Sequence, residues 1–297
     1  MIPILIFSTH KGGEGKTTFT INFAEYFSKV KKLRTLAIDF DEQANLSGRF
    51  LKMVSDTTYK EGKAPPIHPD FNSEEHESWD GRSSIADIFF GQDIIPYPTA
   101  IEKLDIIPSH SGKINEIETI KRDEVQRKIY SMLRNFLYSP EVQSSYDVIV
   151  IDTPPSKGNL TRAAMKVATH LMIPARMEKF SMEGIYGMLQ LWKAESYERD
   201  QSNPFELIGI VANQLRNIII HRQFYESLNS SPVASKFTIP IKIHERSVYA
   251  EVIANENNPK SIFDLPASNQ ARQEFEGLCE YVFFKMFKTQ HHQVETA

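Results

Sequence analysis

The segment Lys11-Gly12-Gly13-Glu14-Gly15-Lys16-Thr17-Thr18 constrains this chain more than any other. It follows a short apolar run over residues 4–7. It opens a stretch, 17–30, in which Phe19, Phe23, Ala24 and Phe27 recur at helical spacing. A strand, a glycine-rich loop and a helix in that order make a phosphate cradle. Glycines let successive backbone N–H groups turn inward toward phosphate oxygens. The helix N-terminus adds a dipole that favours anions. Lys16 is placed to reach the β- and γ-phosphates of a nucleotide, and Thr17 to offer its hydroxyl to Mg²⁺. The plainer reading, a coincidental glycine-rich turn, does not account for the strand before it and the helix after it.

Apolar runs and helical stretches alternate along most of the chain. Strands are expected over 33–40, 104–107, 147–151, 170–173, 207–212 and 237–239. Helices are expected over 83–90, 113–138, 158–167, 181–197, 219–228 and 270–288. That alternation implies βαβ units and a parallel sheet. A run such as Val148-Ile149-Val150-Ile151 suits a strand covered on both faces. The expected fold is α/β: a P-loop NTPase with a mostly parallel twisted sheet flanked by helices on both faces, in one domain over 1–297. Residues 52–80, with Pro65, Pro66, Pro69 and an acidic cluster, are read as a surface insertion, and the tail after about 288 as disordered. The apolar stripe of the last helix, Phe275, Leu278, Cys279, Val282, Phe283, Met286 and Phe287, is read first as core packing and second as a membrane contact.

Two acidic positions complement the loop. Asp39 and Asp41 stand at the carboxyl end of the second strand, the edge where parallel α/β sheets bind ligands. Asp152 ends the apolar run 148–151 and precedes Thr153-Pro154-Pro155; a carboxylate there reaches Mg²⁺ through water, or else caps the structure that follows.

Composition sets limits. The 297 residues carry a net charge of −4, so contact with nucleic acid would need a local basic patch. The single cysteine, Cys279, rules out a disulfide or a multi-cysteine metal or cluster site within one chain. No apolar run is long enough to span a bilayer, and the N-terminus reads as a buried strand rather than a signal peptide. A cytoplasmic protein is expected, nucleoid-associated if it binds DNA.

His10 stands where the generic phosphate-loop pattern wants a glycine, and Lys11 is a second lysine before the paired glycines. This resembles the deviant Walker A motif of the ParA/MinD family of P-loop ATPases. In that family the extra lysine crosses a dimer interface to the partner's nucleotide. Asp39-Phe40-Asp41-Glu42-Gln43 resembles the family's second acidic motif, with Glu42 in place of proline. The resemblance implies that Lys11, Lys16 and Asp41 are catalytic, Asp41 orienting the attacking water. Thr17, Asp39 and Asp152 would serve Mg²⁺. Residues 11–18 would bind the nucleotide, with Asn213 contacting adenine and Ile239-Pro240 lining the base. Val211-Ala212-Asn213-Gln214 and Phe180-Ser181-Met182-Glu183-Gly184 match later family segments.

ATP and Mg²⁺ are the implied cofactors. The implied partners are a second copy of the chain in an ATP-dependent homodimer, non-specific DNA, and a ParB-like protein that stimulates slow hydrolysis. Arg216, Lys236, Lys242 and Arg246 are the candidate DNA contacts, through phosphate neutralisation without base readout. Nothing precedes the first strand that could serve as an operator-reading helix-turn-helix, so specific DNA binding is not expected. A MinD-like membrane-positioning ATPase is the alternative; it needs the last helix to be detachable. An iron–sulfur electron carrier lacks its cysteines, and nothing identifies the acceptor pocket of a kinase or ligase. A non-hydrolysing regulator would lack Asp41 or Lys11, and both are present.

Overall fold

The computed structural model describes residues 1–292 other than 10, 57–61, 73, 75–78, 121–122, 201–202 and 255–260. β1 (Ile4–Phe7) leads through the glycine-rich loop into α1 (Lys16–Glu25), which continues as a π-helical turn, Tyr26–Val30. β2 (Thr35–Asp39) and α2 (Asn45–Phe50) follow, then a small hairpin of β3 (Val54–Ser55) and β4 (Lys63–Ala64). A 3-10 helix over Ile85–Phe90, capped by Ser84, precedes β5 (Tyr97–Pro98) and β6 (Leu104–Ile107). α3 (Ser111–Glu118), α4 (Asp123–Leu137) and α5 (Pro140–Ser145) lead to β7 (Val148–Asp152). The remainder runs α6 (Asn159–Val167), β8 (His170–Arg176), α7 (Lys179–Tyr197), β9 (Glu206–Leu215), α8 (Ile219–Ser230), β10 (Thr238–His244), α9 (Ser247–Ala254) and α10 (Gln270–His292).

Eight strands form one sheet in the order β10-β9-β8-β1-β7-β2-β6-β5, all pairs parallel except β5 with β6. Alternation within each strand divides the core. Ile4 and Ile6 of β1, with Ile149 and Ile151 of β7, face a layer containing Leu133, Leu160 and Ile185 from α4, α6 and α7. Leu5, Phe7, Val148 and Val150 face the other way, onto Phe19, Phe23 and Phe27 and onto Phe275, Leu278, Val282 and Met286 of α10. Every residue of β1, β2 and β7 is buried, which is why these segments read as unbroken apolar runs.

The stripe on α10 is therefore core. Phe275 packs on Phe19 at 5.1 Å and on Phe23 at 5.9 Å between ring centroids. Re-exposing a large apolar side chain costs roughly 1.5–3 kcal/mol. Detaching Phe275, Leu278, Val282 and Met286 together would cost on the scale of a whole domain's stability. Among the described residues no helix is long and apolar enough to cross a membrane.

The described part of 52–80 is more packed than a solvated excursion. His68 is buried, its ring centroid 4.5 Å from that of Tyr97 and 5.9 Å from that of Trp79. Glu75 and Glu77 of the acidic cluster lie outside the described residues, as do residues 293–297 of the expected tail. Helical backbone continues to His292, past the expected end at 288.

Candidate active site

The glycine-rich loop leaves the carboxyl end of β1, between β8 and β7. The sheet's order reverses there, and open α/β sheets bind ligands at that crevice. Gly13 and Gly15 have φ of +78° and +96°, and a Cβ on Gly15 would meet Asn213 Nδ2 at 2.4 Å. Only glycine fits position 15, on grounds of both backbone angle and space. Asn213 Nδ2 donates to the Glu14 carbonyl at 2.8 Å, and Gln214 Nε2 to the Gly13 carbonyl at 3.3 Å. The end of β9 thus grips the outside of the loop through backbone acceptors, leaving its N–H groups for the inside.

Lys16 is buried at the first position of α1. Its Nζ donates to Thr9 Oγ1 and to the Lys11 carbonyl, each at 3.1 Å. Burial lowers its pKa, and the nearby charges of Asp152, Asp41 and Glu14 oppose that shift. The ammonium thus rests on two neutral oxygens in the mouth of the loop, where phosphate oxygens would be stronger acceptors.

Parallel pairing sets Asp39 of β2 and Phe7 of β1 opposite Asp152 of β7. Both carboxylates are fully buried. Burial pushes Asp39 up to about 6. Burial, and then the neighbouring charge of Asp39, raises Asp152 well above the carboxylate range, while the Thr17 hydroxyl opposes the rise. Asp152 Oδ1 accepts from Thr20 Oγ1 at 3.3 Å, whereas among the described residues its Oδ2 has no hydrogen-bond partner. That buried carboxylate oxygen, beside Lys16 and Thr17, fits the approach of a hydrated cation. Among the described residues no cluster of three or more His, Cys, Asp or Glu could hold a metal by itself.

Asp39 has a different occupation. Its Oδ1 accepts from Asp41 N at 3.0 Å, and its Oδ2 from Ser47 N at 2.8 Å and Ser47 Oγ at 2.7 Å. Ser109 N closes the chain onto Ser47 Oγ at 2.9 Å. Asp39 therefore braces the turn that presents Asp41. Asp41 keeps one oxygen on Gln43 N at 3.0 Å and lines the same crevice.

Beside the loop lies a cavity of about 480 Å³ lined by Thr18, Phe19, Asn213, Gln214, residues 243–246, Tyr249 and Phe275. Its size and mostly apolar walls suit a nucleoside base. Pro240 is not among the lining residues and its side chain is exposed. β10 runs past the expected strand end at Ile239 to His244, and Ile243 and His244 line the cavity. Ile239 is instead fully buried in the core beneath.

The four basic residues are not a single patch. Arg216 Nη2 donates to Glu245 Oε1 at 2.8 Å, and Arg246 Nη2 to Glu274 Oε1 at 2.6 Å. Lys242 Nζ lies 4.0 Å from the ring centroid of Tyr225. Lys236 is exposed before the amino end of β10, whereas Arg216 and Arg246 follow the carboxyl ends of β9 and β10.

Sequence reasoning missed Ser47, Ser109 and Tyr249, whose value lies in contacts distant along the chain, and Thr9, whose hydroxyl accepts from the Lys16 ammonium seven positions on. It placed Glu14 among the nucleotide-binding residues, but the Glu14 side chain turns outward. Its Oε2 accepts from Arg176 N at 2.5 Å and its Oε1 from Ser181 Oγ at 2.6 Å.

Comparison with known proteins agrees with this geometry. A family model described as an AAA domain matches residues 2–205. A virulence plasmid ParA family protein of Chlamydia psittaci is 28% identical over 88% of this chain and 92% of its own length. The chromosome-partitioning ATPase Soj of Treponema pallidum is 32% identical over 64% of this chain and 63% of its own length. A Cyanothece McdA variant solved in complex with ATP superposes with a TM-score of 0.72 at 18% identity, covering 95% of this chain and 96% of that one. The chain belongs to the ParA-type partition ATPases of the P-loop ParA/MinD family.

Proposed function

We propose that the chain binds ATP with Mg²⁺, closes into a homodimer around two nucleotides, and in that state binds DNA without sequence preference to partition a plasmid or chromosome. A ParB-like partner then accelerates a hydrolysis that is slow without it. The cellular place of this cycle is the nucleoid surface in the cytoplasm. The observation that carries the reading is convergence: Lys16, Thr17, Asp41 and Asp152 meet at one crevice, on the ends of adjacent strands. The relatives named for plasmid and chromosome partitioning support DNA as the cargo.

In this reading the loop's N–H groups and Lys16 bind the β- and γ-phosphates. Mg²⁺, when bound, offsets charge on those phosphate oxygens; Thr17 would hold it directly and Asp152 through water. Asp41 orients the attacking water, and Asp39 fixes Asp41 through the turn it braces. Asn213 and the Ile243–His244 end of β10 take the base. Lys11 lends its ammonium to the nucleotide of the other subunit. Membrane positioning is the weaker reading, because the last helix is seated in the core through Phe275, Leu278, Val282 and Met286.

The test is mass measurement by light scattering with ATP, with ADP and without nucleotide, for wild type and K11A, alongside DNA co-sedimentation in the same three states. The reading expects dimer and DNA binding with ATP alone, and neither from K11A. A wild-type monomer at saturating ATP would overturn it, as would DNA binding indifferent to nucleotide.

A further inference from the structure

We infer that Phe180 is a positioning residue for Lys11, its ring holding the ammonium ready at the face that meets the second subunit. This rests on the reading of Lys11 as the amine that acts across the dimer. Lys11 Nζ lies 4.4 Å from the centroid of the Phe180 ring. Among the described residues no carboxylate forms an ion pair with Lys11, and Glu14, the nearest acid along the chain, is engaged elsewhere.

Phe180 is itself 60% exposed, so core packing does not explain a phenyl group there. It sits in the first turn of α7, and that turn is bound to the loop by the loop's own side chain: Glu14 takes Ser181 Oγ at 2.6 Å, and also Arg176 N at the end of β8 at 2.5 Å. Glu14 is buried, so this link is shielded from water. Two loop residues three positions apart therefore engage one helix start. Glu14 fixes the helix to the loop, and Lys11 lies on the ring that the helix presents.

The physical return is preorganisation. A free lysine side chain samples many rotamers, and ordering it at the moment of association weakens binding. A ring face that attracts the cation restricts that sampling beforehand, without the strong, specific hold that a carboxylate would exert. The ring keeps the ammonium in that place as the second subunit closes, so the contact survives association while the N–H groups turn to the triphosphate.

The experiment is sedimentation equilibrium with a slowly hydrolysed ATP analogue on wild type, F180A, F180L, F180W and K11A, with analogue affinity and melting temperature measured on each. An exposed cation–π contact is worth about two- to fivefold, and a symmetric dimer contains two, so F180A should weaken dimerisation by about four- to twenty-five-fold. F180L should match F180A, because apolar bulk without a π face does not hold the cation, and F180W should restore wild-type association. Analogue affinity of the separate subunits and melting temperature should stay at wild-type values. F180L behaving as wild type, or F180A dimerising as tightly as wild type or more so, would overturn the role of the ring. K11A weak with F180A normal would sink the positioning role alone. K11A dimerising like wild type would sink the reading of Lys11 and the positioning role with it.

Discussion

The centre of the sheet and its β9–β10 edge are built on different terms. At the centre, β1, β2 and β7 are buried along their whole length and pair in unbroken parallel register, so Asp39 and Asp152 arrive opposite each other by strand geometry alone. At the edge, β10 pairs with β9 through two register shifts, and the charged residues that follow are matched to one another: Arg216 with Glu245, Arg246 with Glu274. Burial at the centre leaves one oxygen of Asp152 without a hydrogen-bond partner among the described residues. Pairing at the edge neutralises charge that a DNA-binding surface would use. The lesson is that a charged residue's meaning depends on whether the fold has already supplied its counter-ion.

The largest effect should come from the centre. K16A removes the one buried cation of the loop, and nucleotide affinity should fall by about a thousandfold or more, read with a fluorescent ATP analogue. Binding that stays within tenfold of wild type would mean that the backbone cradle suffices without the lysine. D41A should leave binding and dimerisation intact and lower turnover by about a hundredfold, read as phosphate release at saturating ATP. A parallel loss of affinity would move Asp41 from water orientation to metal or phosphate binding.

β8 joins the two regions, and its first residue offers a pH test. Burial pushes His170 down to about 4, against an ordinary value near 6.5. The native state holds the neutral ring and the unfolded chain the charged one, so this stability is full above pH 6.5 and is lost as pH falls toward 4. The size is about 3 kcal/mol. Urea unfolding of H170Q should show a correspondingly shallower loss between pH 7 and 4.5 than wild type. An unchanged slope would assign the acid sensitivity to the carboxylates.

S47A should cost about 2 kcal/mol, because it removes a donor from Asp39 and leaves Ser109 N without an acceptor. It should also slow turnover by loosening Asp41, and loss of stability alone would separate bracing from catalysis. The smallest effect belongs to the edge. E245Q frees Arg216 from its ion pair, and DNA affinity in the ATP state should rise by about two- to fivefold with a steeper salt dependence. A fall in affinity would show that the pair shapes the surface rather than masking it.

The same contrast governs what was legible in the sequence. The phosphate loop, Asp41 and Asp152 could be read because each follows a run of apolar residues, and such runs mark buried strands whose ends are fixed points. The central strands end within a residue or two of where periodicity puts them. The edge could not be read as well: only Ile239 and Ile243 of β10 are buried, and Ile239-Pro240 looked like its end when the strand continues to His244. The short helices α2, α5 and α9 lack the length over which helical periodicity emerges. The bracing of Asp39 by Ser47, and of the loop by Glu14, depends on side-chain direction. Glu14 lies in a segment whose backbone suggests phosphate contact, yet its carboxylate faces a helix more than 160 positions away along the chain.

Beneath α1, Glu25 and Arg49 form an ion pair at 2.6 Å with both side chains almost wholly out of solvent. Arg49 belongs to the helix that follows the Asp41 turn, and its Nη1 reaches the Val252 carbonyl on α9, the helix that puts Tyr249 and Ala250 into the wall of the cavity beside the loop. A guanidinium is planar, rigid and permanently charged, so it cannot relax by discharging or bending. One end of it cannot be displaced without pulling on the other. The turn that carries Asp41 and the wall of the cavity beside the loop are thus tied to one buried guanidinium.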